Sequence, residues 1–188
     1  MIRPNFEGET VICVASGPSL TQEDCDLVRE SGHPVIVVNT SFRLAPWADM
    51  LFAFDKKWWD IYHEEVNQTF GGLLVSFSQA VKSYGVESTY RAPWFANYGN
   101  SGACAIGLAM AGGADKIVLL GYDCQAKEKA HWHGDHPAEL SNIASIKRWP
   151  AQFKCVADDA DRDAVIVLNA SRETALKCFA RITLENAL

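Results

Sequence analysis

Short runs of consecutive apolar, largely β-branched residues recur along this chain, and they restrict its fold more than any other feature. They occupy residues 10–15 (TVICVA), 34–38 (PVIVV), 50–54 (MLFAF), 73–77 (LLVSF), 117–120 (IVLL) and 165–168 (VIVL). Each is too short for a buried helix and lacks the polar alternation of a strand wetted on one face. Such runs read as strands covered on both faces, the habit of parallel sheets. Between them lie segments with helical spacing at residues 22–31, 56–70, 101–111, 138–149 and 172–179. Strand–helix alternation predicts an α/β, three-layer domain with a mostly parallel sheet. With 188 residues, the chain fits one domain spanning 1–188.

The helical segments carry their own signals. Trp59, Tyr62, Val66 and Phe70 recur on one stripe, which assigns them to the core. Residues 101–111 are mostly Gly, Ala, Cys and Ile, small enough for a helix to lie close against a sheet. Asn100 or Ser101 caps that helix, and Gly112-Gly113 ends it. Pro150 either starts a new helix or kinks the one before it. Tyr84, Tyr90, Trp94, Phe95 and Tyr98 either line a pocket wall or belong to a loop packed on the core. Trp58 and Trp94 read as exposed, and a homo-oligomer contact or a substrate would account for them.

Composition narrows the function. A net charge of −6 and a pI near 5.3 argue against a broad nucleic-acid surface or binding to an anionic membrane, since both need clustered Lys and Arg. With 48% hydrophobic and 21% charged residues the chain is globular rather than disordered. No apolar run approaches the roughly 20 residues that span a bilayer, and residues 1–7 lack the apolar core of a secretion signal. The six cysteines form no C-x-x-C pair. A reduced, cytoplasmic protein is the expectation.

In parallel sheets, ligands sit beyond the carboxyl ends of the strands, and the polar residues of this chain gather at such ends. Ser16-Gly17-Pro18-Ser19 follows the first strand and precedes a helix, a context in which backbone N–H groups bind anions. An ordinary βα turn would read the same way, and neither G-x-G-x-x-G nor a P-loop lysine is present. Asn39 and Asp55 follow the second and third strands, where they contact a ligand or cap a loop. Gly121-Tyr122-Asp123 follows the strand at 117–120. After it comes His131-Trp132-His133-Gly134-Asp135-His136, three imidazoles and a carboxylate within six residues.

That last string admits two chemistries. Histidine exchanges a proton near neutral pH and serves as a general base. His131, His133, Asp135 and His136 are also suitable ligands for a divalent metal, with Asp123 in reserve. The string resembles the zinc signature of metallo-β-lactamase-fold hydrolases. Those enzymes need further histidines downstream, and none follows His136 here. A metal-dependent hydrolase built differently remains an alternative.

The order of motifs over residues 10–180 resembles the bacterial sialyltransferases of glycosyltransferase family 42. It carries Gly17-Pro18-Ser19-Leu20, Asn39-Thr40-Ser41-Phe42, Asp55, Ser101-Gly102, Gly121-Tyr122-Asp123 and the His133/His136 region in sequence. The skeleton is also similar to the archaeal 6-hydroxymethylpterin diphosphokinase-like proteins, and most of all to small phage and prophage proteins with the string "LLGYD … HWHGDHP". The resemblance implies a Rossmann-like domain and a nucleotide or nucleotide-sugar donor, with a divalent metal allowed. It implies a transferase, of glycosyl or diphosphoryl type, in the host cytoplasm if phage-encoded; a non-catalytic nucleotide-binding phage protein is the alternative. Residues 16–19 would face phosphate or ribose, and Asn39 and Asp55 the nucleoside. Asn100, Ser101 and Gly102 would bind base or phosphate, with Tyr122 beside them. His136 or His133 would be the base, with Asp123 close to the reaction. The sialyltransferases have Asn at the positions of Ser16 and Asp55, and tyrosines where Gln125, Lys127 and Lys129 stand.

Overall fold

The computed structural model describes residues 3–125, 131–137, 139–140 and 146–188. Its strands are β1 (Thr10–Val14), β2 (Val35–Val38), β3 (Met50–Phe52), β4 (Leu73–Ser76), β5 (Glu87–Ser88), β6 (Lys116–Leu120), β7 (Ile166–Asn169) and β8 (Ala180–Arg181). Among the described residues they form one sheet in the order β5-β4-β3-β2-β1-β6-β7-β8, with every pairing parallel. The helices are α1 (Gln22–Ser31), α2 (Lys56–Thr69), α3 (Ser101–Ala111), α4 (Trp149–Arg162) and α5 (Leu184–Ala187). This is a three-layer, Rossmann-like α/β fold.

Alternation along the central strands divides the core in two. Ile12 and Val14 of β1 face α1, α2 and α5, packing with Val28, Trp59, Val66 and Leu184. Val11 and Cys13 face α3 and α4, packing with Cys104, Ile106, Leu108 and Val156. Val11 through Val14 are all fully buried, as runs without a polar face require. The two-residue strands β5 and β8 close the sheet, so little unpaired edge is left.

Local chemistry sets the helix bounds. Thr21 and Asp24 form a reciprocal capping box at the start of α1, and Gly32, in the left-handed region at φ 70°, ends it. Asn100 caps α3 by accepting from Ala103 N–H. The small residues of α3 pack on Val11, Cys13 and Ile36 of the sheet, and Gly107 leaves room for the Tyr98 ring, which a Cβ there would strike. Pro150 stands in the first turn of α4 and starts that helix rather than kinking an earlier one.

Three expectations change. Residues 172–179 are not helical. Their polar groups are taken by the end of β6 instead, with Thr174 Oγ1 donating to the Tyr122 carbonyl at 2.7 Å and Ala175 N–H to the Asp123 carbonyl at 2.8 Å. The strand at β7 is not the last, because β8 follows that loop. Trp58 is only 3% exposed, packed edge-on against Phe42 and Trp59. Half of the helix expected over 138–149 falls outside the described residues; residues Ile146–Arg148 form a 3-10 turn that leads into α4. Among the described residues no helix is long and apolar enough to cross a membrane.

Candidate functional site

The order of strands reverses between β1 and β6: successive units run outward from β1 through β2 to β5, and from β6 through β7 to β8. The carboxyl ends of β1 and β6 therefore diverge into a crevice, the usual ligand position in such sheets. A cavity of about 340 Å³ lies there.

The turn after β1 forms one wall. Ala15 N–H bonds to the Leu120 carbonyl and Gly17 N–H to the Gly121 carbonyl, both at 2.8 Å, extending the β1–β6 ladder past the strands. A side chain at Gly17 would collide with the Asp123 carboxylate and the Gly121 carbonyl, so glycine is needed for strand-end packing. Ser16, Gly17 and Pro18 line the cavity. Ser19 is turned away. Its N–H and hydroxyl both donate to Asp123, at 2.9 and 2.7 Å.

Part of the anion site expected at α1 is thereby taken up by the protein's own groups. Ser19 N–H serves Asp123, Thr21 N–H serves Asp24, and Asp24 N–H serves Thr21 Oγ1. Glu23 and Asp24 also place negative charge in the first turn. Arg172 bridges Asp24 to the loop after β7. The N-terminus of α3 is different. Asn100, Ser101 and Gly102 all line the cavity, and no acidic residue stands in that first turn. Ser101 Oγ accepts from Phe54 N–H at 3.1 Å, joining α3 to the end of β3.

Asn39 and Asp55 complete the opposite wall. Asn39 adopts a left-handed backbone (φ 51°), which Asn tolerates better than most residues. Asp55 occupies the N-cap position of α2 but makes no capping hydrogen bond with its side chain. Burial raises its pKa, partly offset by Lys57. A shallower hollow of about 500 Å³ adjoins the cavity, sharing Phe54 and Asp55 with it. Its aromatic wall is the Phe54–Phe77 stack, with ring centres 5.1 Å apart.

Tyr122 and Asp123 do less at the surface than their position implied. Tyr122 is 1% exposed; its ring packs on Phe153 and its hydroxyl donates to the Gly102 carbonyl at 3.1 Å, so it forms the cavity floor. Asp123 is buried and stands outside the cavity lining. Burial raises its pKa against the two Ser19 hydrogen bonds.

The histidines converge. A turn closed by Gly134 N–H to the His131 carbonyl stacks His131 on His133, centres 5.1 Å apart and planes within 9°. His136 comes within 4.5 Å of His131 and 4.9 Å of His133, centre to centre. One nitrogen from each imidazole lies within 4.8 Å of the others. The turn is fastened to β1: Trp132 N–H donates to the Ser16 carbonyl at 3.1 Å, and Ser16 Oγ lies 3.0 Å from His131 Nδ1. His131 and His136 line the cavity. Asp135 is exposed and does not belong to the group of three. Burial lowers the pKa of all three, to about 4 for His133 and for His136, where neighbouring imidazoles add to the effect.

The cavity also takes in Phe54, Gly99, Cys124, Gln125, Trp149 and Phe153, which sequence reading did not select. For Trp149 and Phe153 the signal was Pro150, which marks a helix start beside the site. Lys127 and Lys129 lie outside the described residues. The chain matches no protein-family model and no curated protein sequence.

Proposed function

We propose that this protein is an enzyme that transfers a group from a nucleotide-class donor held in the switch-point cavity. The observation that carries the reading is the convergence of Ser16, Asn39, Asp55, the α3 N-terminus and two histidines on one cavity of about 340 Å³. Nine of the residues expected to contact a nucleotide line it, drawn from five separate stretches of chain. The size lies within the range of small-molecule sites.

In this reading the donor phosphate meets the amide groups of Ser101 and Gly102, where the helix dipole favours negative charge. Asn39 and Asp55 receive ribose hydroxyls. The acceptor enters by the adjoining hollow at Phe77, so that donor and acceptor meet across Phe54 and Asp55. His136, on the cavity wall, takes the proton of the attacking hydroxyl. The six unpaired cysteines support a reducing, cytoplasmic setting.

The test is turnover. The protein is incubated with nucleoside triphosphates and nucleotide sugars, with sugar or alcohol acceptors, and release of the free nucleotide is followed by chromatography. The reading expects release with one donor class, reduced about 10²- to 10⁴-fold in His136→Ala. A donor recovered unchanged from a tight complex, with every acceptor class, would make the chain a binding protein instead.

A further inference from the structure

We infer that His131, His133 and His136 together form a site for one divalent transition-metal ion, zinc the best match, with an open position toward the cavity. The site stands on its own geometry and rests on the function proposed above only for what the ion would act on; with its lone pair given to an ion His136 would no longer be the base, and water bound to the ion would supply that role instead.

Four observations carry it. The three nitrogens lie within 4.8 Å of one another. Tetrahedral zinc with Zn–N bonds of about 2.0–2.1 Å separates its ligand nitrogens by roughly 3.3 Å, so side-chain rotation closes the difference. Next, His131 is 7% exposed, and among the described residues neither its Nε2 nor that of His133 has a hydrogen-bond partner. Buried polar atoms are nearly always satisfied, and an unsatisfied one needs an explanation such as an absent ion.

Third, His131 is oriented in the manner of a ligand. Its Nδ1 lies 3.0 Å from Ser16 Oγ, and Nδ1–H donating there leaves the Nε2 lone pair free for a metal. Trp132 N–H to the Ser16 carbonyl fixes the same turn to β1, so the ligand sits on rigid structure. Fourth, among the described residues three ligands converge and no fourth joins them. Asp135 stands outside the group and the Asp123 carboxylate is held by Ser19. Three protein ligands with a vacant position are the arrangement of catalytic zinc, whereas structural zinc is closed by four. Because His131 and His136 also line the cavity, the vacant position meets whatever binds there. No Lys or Arg occurs among the described lining residues. A bound cation would supply the positive charge that a phosphate-bearing ligand requires. An all-imidazole set suits zinc, cobalt, nickel or copper and disfavours magnesium and calcium.

The test uses the untagged full chain, stripped with a chelator and dialysed. It is titrated with zinc by calorimetry and with cobalt by visible absorption. The site predicts one equivalent of either ion and the intense d–d bands of tetrahedral cobalt. His133→Ala abolishes stoichiometric binding. Ser16→Ala retains all three ligands and weakens affinity by about 10- to 100-fold. Asp135→Asn leaves it unchanged, and circular dichroism confirms that each variant is folded. Absence of a saturable equivalent, or equal affinity in folded His133→Ala, overturns the proposal. Nucleotide binding is measured separately on the stripped protein. Nucleotide bound without any ion site removes this inference and leaves the proposed function standing; an ion site without nucleotide binding does the reverse.

Discussion

Ser19 gives both its backbone N–H and its hydroxyl to the carboxylate of Asp123, across 104 residues of chain. The pair joins the turn after β1 to the end of β6 and so sets the width of the crevice between them. Asp123 is thus a positioning residue, out of reach of the cavity. Asp123→Ala leaves two part-buried donors without their acceptor, and the expected loss is about 1–3 kcal/mol in urea unfolding. An unchanged unfolding midpoint would separate Asp123 from the architecture.

Gly17 is fixed by the same contact. A Cβ there overlaps the Asp123 carboxylate and the Gly121 carbonyl, neither of which is a free side-chain end. Gly17→Ala should cost about 1–3 kcal/mol through overpacking and weaken ligand binding with it. Thermal unfolding and a ligand titration on the same sample check both.

Asp55 should behave in the opposite way. It makes no capping bond and stands exposed on the cavity wall, its pKa raised by desolvation. Asp55→Asn is expected to leave the melting temperature level or slightly higher, since a desolvated charge is removed. Donor affinity should fall by about 10- to 100-fold, the loss of a charge-assisted hydrogen bond. Loss of stability instead of affinity would place Asp55 in the fold rather than the site.

Acid sensitivity has one traceable source in Asp159. The Tyr98 hydroxyl donates to it at 2.7 Å, and Arg162 adds to the effect, holding its pKa below the ordinary 3.8. A lowered folded-state value means the stabilisation is complete above pH 3.8 and is lost as pH falls through the folded value. Melting curves from neutral pH to below that window should show a smaller acid loss in Asp159→Asn than in the wild type.

Much of the fold was legible because its causes are local. Helical spacing placed α1 at residues 22–31, Asn100 and the glycine pair bound α3, and unbroken apolar runs mark the central strands. The loop over residues 172–179 was not legible, because Thr174 and Ala175 answer to Tyr122 and Asp123 rather than to their neighbours. β5 and β8 are two residues each, too short to show a period. At the site, the density of histidines was visible, but the Ser16–His131 contact spans 115 residues and was not. Tyr122 and Asp123 were placed at the correct strand end; only packing decides that one ring turns into the core and one carboxylate holds a turn.

The central claim is that the switch-point cavity binds a nucleotide-class donor. Calorimetric melting of the wild type and of a double variant, Asn39→Ala with Asp55→Ala, across nucleotides and nucleotide sugars tests it most directly. At about 100 times its Kd, a ligand should stabilise the wild type by about 2.7 kcal/mol, a shift of several degrees. The account predicts such a shift for one nucleotide class in the wild type and its loss in the double variant. No shift with any nucleotide, or an equal shift in both proteins, would contradict it.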